Sequence, residues 1–303
     1  MKKLLGIILI CMSLPSTVMS QWAYPPTMPD ARVENYKTVG DIELRLWIFS
    51  PEGHSDNDSR PAIIFFFGGG WRSGSPIHFA KHCEYLAARG MVAITADYRV
   101  SERHGVKVNS CVADAKSAIR WIRAHASRLG INPDRIVASG GSAGGHLAAA
   151  TATLPSHDDA DDDLSISTKP NALVLFNPVV VLAPIQGSRE FTEDELSRRN
   201  ERLGAEATSL SPYHHTNKGV CPTIIFHGTA DTTVPYKTVE LFCKKMLEQG
   251  NHCELFGYKG EKHGFFNFGR DGNASFIDTV NKMDRFLVSL GYLKAVPETE
   301  YNK

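Results

Sequence analysis

Ala138-Ser139-Gly140-Gly141-Ser142-Ala143-Gly144-Gly145-His146 is the stretch on which the reading of this chain turns. Before it stands Arg135-Ile136-Val137, a short β-branched run, and after it residues 147–154, an alanine-rich run of helix formers. A strand that becomes a helix within a few residues needs glycine where side chains would collide. Gly140 and Gly144 flank Ser142 in a G-x-S-x-G frame, which presents a serine at a sharp strand-to-helix turn. Such a serine stands at a helix N-terminus, where unpaired N–H groups and the helix dipole favour developing negative charge. Taken alone, the five residues also fit a plain glycine-serine turn. The flanking sequence decides between the two.

Outward from that turn, apolar runs alternate with amphipathic ones. Residues 33–39 and 42–50 (Ile42, Leu44, Leu46 and Ile48 alternating) predict an antiparallel strand pair. Ile63-Ile64-Phe65-Phe66-Phe67 is a continuous apolar run, as in a strand buried on both faces, and Gly68-Gly69-Gly70-Trp71 follows at once. Residues 78–89 predict a helix and 91–96 a buried strand ending in Asp97-Tyr98-Arg99. Cys111, Ala115, Ala118, Ile122, Ala126 and Leu129 then share one helical face. Strands are expected at 172–176, 223–226 and 254–258, with helices after Pro235 and at 276–290. Residues 178–219 interrupt this rhythm with one helical piece, 192–203, and read as a small cap. Strands alternating with helices imply a parallel sheet covered on both faces, with sites at the carboxyl ends of its strands.

The chain has 303 residues, 42% hydrophobic and 22% charged, with a formal net charge of zero. That balance suggests neither nucleic acid nor an acidic membrane surface as a partner. Lys2 and Lys3 ahead of an apolar run over residues 4–12, with Val18-Met19-Ser20 before Gln21, read as a secretory signal peptide over 1–20 rather than a stable membrane anchor. Its removal would leave 31 basic and 33 acidic residues, a charge of −2. The mature domain then runs over 21–303, exported to the periplasm or beyond. Five cysteines would remain, and Cys243 with Cys253 is the pair chosen for any bridge, with buried thiols for the rest. No C-x-x-C spacing points to a metal. The acidic run 158–163 reads as solvated surface, with a cation site as the sharper alternative.

A serine hydroxyl attacks well only when a base takes its proton and a carboxylate orients that base. Ser142, Asp231 and His263 stand in the order serine, acid, histidine, each just past a predicted strand. Rivals for the base are His146, His227, His214 and His215, the last two as possible pocket residues with Trp71; rivals for the acid are Asp97, expected to brace its loop with Arg99, and Asp114. The oxyanion of acyl transfer needs prepared donors, expected from the backbone of Ala143, Gly69 and Gly70.

Together, Phe67-Gly68-Gly69-Gly70-Trp71, Asp97-Tyr98-Arg99, Gly140-Gly141-Ser142-Ala143-Gly144-Gly145 and His263-Gly264-Phe265 resemble the hormone-sensitive-lipase-like branch of the α/β-hydrolases over about residues 33–293. The resemblance implies an α/β-hydrolase fold and a serine carboxylic-ester hydrolase, which the signal-peptide pattern makes a secreted one. It also implies a small-molecule or carbohydrate-linked ester as substrate, such as an acetyl or feruloyl ester, and no cofactor. Phe67 departs from that family's histidine, which orders the glycine loop. His227-Gly228-Thr229-Ala230-Asp231 is closer to relatives of the prolyl-oligopeptidase and feruloyl-esterase kind. A serine peptidase, or an inactive binding module on the same scaffold, is the competing reading.

Overall fold

The computed structural model describes residues 24–185 and 192–297; the expected signal peptide lies outside them. Its sheet is built from β1 (Arg32–Val39), β2 (Ile42–Phe49), β3 (Arg60–Phe66), β4 (Val92–Ala96), β5 (Ile131–Gly141), β6 (Ala172–Phe176), β7 (Thr223–Gly228) and β8 (Cys253–Tyr258). The spatial order is β1-β2-β4-β3-β5-β6-β7-β8. β2 is antiparallel to both its neighbours, and every later pairing is parallel. The helices are α1 (Ala80–Ala88), the short α2 (Ser101–His104), α3 (Val108–Ala124), α4 (Ala143–Thr153), α5 (Glu193–Leu203), α6 (Tyr236–Glu248) and α7 (Ala274–Ser289). This is the α/β-hydrolase architecture expected from the sequence.

Side chains in β3 alternate between two buried layers. Ile63 and Phe65 belong to the buried layer that also holds Leu86 of α1 and Leu287 of α7, whereas Ile64 and Phe66 belong to the one that holds Ile119 of α3, Leu147 of α4 and Phe242 of α6. A strand apolar on both faces is stable only when covered twice, and each such side chain contributes about 1.5–3 kcal/mol by leaving water. Parallel strands end in register here: Phe66 lies opposite Gly140, Gly141 opposite Phe176, and Gly228 opposite Tyr258. The loops that follow β3, β5, β6, β7 and β8 therefore emerge along one edge.

Several expectations need correction. Pro76–Phe79 form a 3₁₀ turn, so α1 begins only at Ala80. The acidic run is not a freely solvated stretch. Asp158 pairs with Lys116 at 3.0 Å and Arg120 at 2.6 Å, Asp162 with Arg120 at 2.8 Å, and Asp159 with Lys37 at 2.6 Å. Those carboxylates answer half-buried and buried cations on α3 and β1, and no cluster of three metal-ligating side chains occurs among the described residues. Cys243 and Cys253 are free thiols, with the Cys243 Sγ–H donating to the Cys253 carbonyl at 3.6 Å. Arg99 braces Asp114 through two bonds of 2.8 Å, while Asp97 accepts from the Tyr24 hydroxyl and the Tyr98 N–H instead.

His82 stands apart from these paired groups. Its ring is buried among Phe65, Phe79, Phe176, Phe266 and Phe276, and neither nitrogen has a hydrogen-bond partner among the described residues. Burial lowers its pKa to about 3. Below pH 6.5 the unfolded chain takes up a proton that the folded chain refuses, so stability falls as the solution is acidified. Between pH 7 and pH 5 this single group removes about 2 kcal/mol. In denaturant titrations at both pH values, His82→Phe is expected to lose about that much less than the wild type; an equal loss in both proteins excludes His82 as a source of acid sensitivity.

Candidate active site

Ser142 follows the last residue of β5 and starts α4 with φ 55° and ψ −116°, a conformation that L residues rarely adopt. What holds it there is the crowding on either side. A Cβ on Gly144 would lie 1.9 Å from the Phe66 carbonyl oxygen, and one on Gly140 would lie 2.5 Å from the backbone of Gly144. Helix α4 can therefore cross β3 only as bare backbone. The Ser142 N–H donates to the Phe176 carbonyl at 2.9 Å, tying the turn to the end of β6.

His263 comes from the loop after β8. Its Nε2 lies 3.0 Å from the Ser142 Oγ and its Nδ1 2.7 Å from Asp231 Oδ2. A carboxylate accepts only, so Nδ1 carries the hydrogen and Nε2 offers a lone pair to the serine hydroxyl. Asp231 is fully buried at the turn after β7, and its other oxygen accepts the N–H groups of Thr233 and Val234, both at 2.9 Å. The histidine loop is fastened separately: the Gly264 N–H donates to Asn177 Oδ1 at 2.9 Å, and Arg270 donates to the His263 carbonyl at 2.8 Å.

Gly69 and Gly70 have φ of 126° and 64° and line the hollow in front of Ser142. Their N–H groups and that of Ala143, the first residue of α4, meet no acceptor among the described residues. Phe67, in the place of the family's histidine, stacks on Tyr98 with ring centroids 4.1 Å apart, and the Tyr98 hydroxyl donates to the Phe67 carbonyl at 2.8 Å. The glycine loop is held instead by His78, which sequence reading missed. The Gly68 N–H donates to His78 Nδ1 at 3.1 Å, so Nε2 carries the hydrogen and donates to Asn267 Oδ1 at 2.7 Å. Burial, helped by the nearby His263, lowers the pKa of His78, which keeps the ring in this neutral form. His78 thus joins the glycine loop to the histidine loop. Asn177, His78 and Asn267 carry no motif; only their place beyond strand ends could have drawn attention to them.

The rival side chains make no hydrogen bond to Ser142 or His263, although His227 Nε2 also lies 3.3 Å from Asp231 Oδ2. His146 bonds the Leu210 carbonyl at 2.7 Å, and His227 bonds that of Val234 at 2.8 Å. His214 and His215, expected to line the pocket, do not. His214 is taken up by Ser211 and the Pro184 carbonyl, and His215 by the Thr208 carbonyl, because the turn at Pro212–His215 packs down on its own segment. Trp71 does line the hollow. Two cavities meet at Ser142. One, of about 550 Å³, is bounded by His263, His78 and Phe268; the other, of about 560 Å³, by Ala143, Trp71, Leu182 and the arginines of α5.

A family profile described as BD-FAE matches residues 46–246, and one for the dienelactone hydrolase family matches 204–298. The acetylxylan esterase of Xylanibacter ruminicola is 26% identical over 264 residues, 85% of this chain and 49% of that protein. Carboxylesterase NlhH of Mycobacterium tuberculosis is 31% identical over 136 residues, 43% of this chain and 40% of that protein. The chain spans about half the length, or less, of these two relatives. An esterase from Thermogutta terrifontis, Est2, solved with propionate bound, superposes with a TM-score of 0.87 at 53% identity, over 91% of this chain and all of that one. The same esterase phosphonylated by sarin superposes equally well, at 52% identity over 90% of this chain. With a profile spanning most of the chain and a solved esterase matched end to end, the protein belongs to the BD-FAE family of α/β-hydrolase esterases.

Proposed function

We propose that the protein is a serine carboxylesterase with Ser142 as nucleophile, His263 as general base and Asp231 as the group that orients and stabilises the imidazole. The observation carrying this reading is the line of contacts from Oγ through the imidazole to the buried carboxylate, 3.0 and 2.7 Å long, beside unspent backbone donors. Nε2 takes the hydroxyl proton as Oγ adds to the ester carbonyl. The N–H groups of Ala143, Gly69 and Gly70 receive the oxyanion, and they are already oriented before charge develops. The imidazolium then protonates the leaving alcohol, and water resolves the acyl-enzyme by the same path. The name of the acetylxylan esterase, and propionate in the solved esterase, support short acyl esters such as acetyl groups on carbohydrates; feruloyl esters rest on the resemblance of the motifs alone. The apolar run behind Lys2 and Lys3 supports export.

Ser142→Ala is expected to lower the turnover of a short-chain chromogenic ester by about 10⁴-fold or more and to abolish labelling by a fluorophosphonate. Equal rates in the two proteins exclude the reading, and turnover of a peptide without turnover of any ester favours the peptidase. His78→Ala frees the glycine loop from the histidine loop, so kcat is expected to fall about tenfold with KM little changed and the melting temperature kept. His78→Gln, which can accept and donate at the same two places, is expected to recover part of the loss; a fall in stability with unchanged kcat would assign His78 a structural role only. On secretion from a host with a matching export system, N-terminal sequencing is expected to begin at Gln21, and a product that starts at Met1 excludes processing.

A further inference from the structure

The two cavities that meet at Ser142 differ in what they can bind, and the difference follows from His263. The leaving oxygen has to come within reach of Nε2 to be protonated, so the alcohol occupies the cavity that His263 bounds. The acyl chain is then directed into the other cavity, beyond Ala143. The nearer walls of that cavity are apolar, formed by Trp71, Leu182 and Leu203. Its rim is formed by α5, which presents Arg198 and Arg202 one helical turn apart.

Neither arginine has an ion-pair partner among the described residues, and Arg202 lies over the Trp71 ring at 5.7 Å. The helix offers a partner to Arg198, since Asp194 stands four residues before it, and Glu206 follows just past the helix end. Glu206 is instead taken by Asn200 at 2.7 Å. Arg199, between them in sequence, is held by the Leu182 carbonyl at 2.5 Å. Among the described residues, no Asp or Glu lines this cavity. In a protein whose formal net charge is zero, the described residues on this side of the serine include Arg198 and Arg202 and no carboxylate. Like charges a helical turn apart repel, and an anion between them removes that repulsion while gaining two charge-assisted hydrogen bonds.

We propose that the acyl cavity selects acyl groups that end in an ionised carboxylate, the monoesters of dicarboxylic acids, with Arg198 and Arg202 receiving the far carboxylate and the apolar walls its methylene chain. The proposal rests on the assignment of Ser142 as nucleophile. It is tested by comparing the monomethyl esters of succinate, glutarate and adipate with the methyl esters of butyrate, pentanoate and hexanoate, following acid release by titration at low ionic strength. At the chain length that spans the cavity, kcat/KM is expected to favour the dicarboxylate ester by about tenfold, and added salt to shrink that ratio. Arg198→Gln with Arg202→Gln is expected to bring the ratio at that length down about tenfold. Preference for the neutral ester at every length overturns the proposal, as does a ratio that the double substitution leaves unchanged. If the wild type neither hydrolyses the neutral esters nor reacts with a fluorophosphonate, the esterase reading itself fails instead, so the two failures are told apart.

Discussion

The Phe66 carbonyl, which would lie within 1.9 Å of any side chain on Gly144, is the constraint from which the site is built. A helix that packs this closely on a strand brings its N-terminus over the strand ends, and it forces the residue between them into a strained turn. Strain at Ser142 is tolerated because the structure fixes it from both sides: the helix below is backbone against backbone, and the N–H above is held by Phe176. The result is a hydroxyl lifted clear of the sheet at the positive end of a helix. Everything else in the site is placed relative to that point.

Each remaining part reaches Ser142 from the end of a different strand, and each is fixed by polar contacts of its own. Asp231 is oriented by two backbone N–H groups of its turn, so its second oxygen is left aimed at His263. The histidine loop is pinned through Gly264 and Arg270 rather than through the ring, which leaves the imidazole half-buried and free to move its proton. His78 joins the two loops, one carrying the proposed oxyanion donors and the other the proposed base. A sheet whose strands end in register supplies the common edge; the loops supply precision.

Much of this was legible in the residues. Periodicity located the strands and most of the helices, and a short apolar run such as Ile63-Ile64-Phe65-Phe66-Phe67, closed at once by three glycines, fits a strand covered on both faces. The glycine frame around Ser142 named the turn, and the chain order named Asp231 and His263 as its companions. What stayed hidden was long-range pairing. Nothing local says that Asp158 and Asp162 belong to Arg120, or that Asp114 rather than Asp97 receives Arg99. His214 and His215 looked like pocket residues because they fall in the segment beside the site, but backbone carbonyls nearby satisfy both rings first. His78 could not be found for the opposite reason: its two partners lie 10 and 189 positions away.

The meeting of two separate cavities at one serine sets how a turnover would partition. Once an alcohol departs past His263, the chamber it leaves stands open beside the imidazole while the acyl chain still fills the opposite one. Whatever enters that chamber meets the same nitrogen in the same place, whether it is water or a second alcohol. Under the proposed mechanism, transesterification would compete with hydrolysis, and the hydroxyl compounds dissolved around the protein would set the balance between a free acid and a new ester.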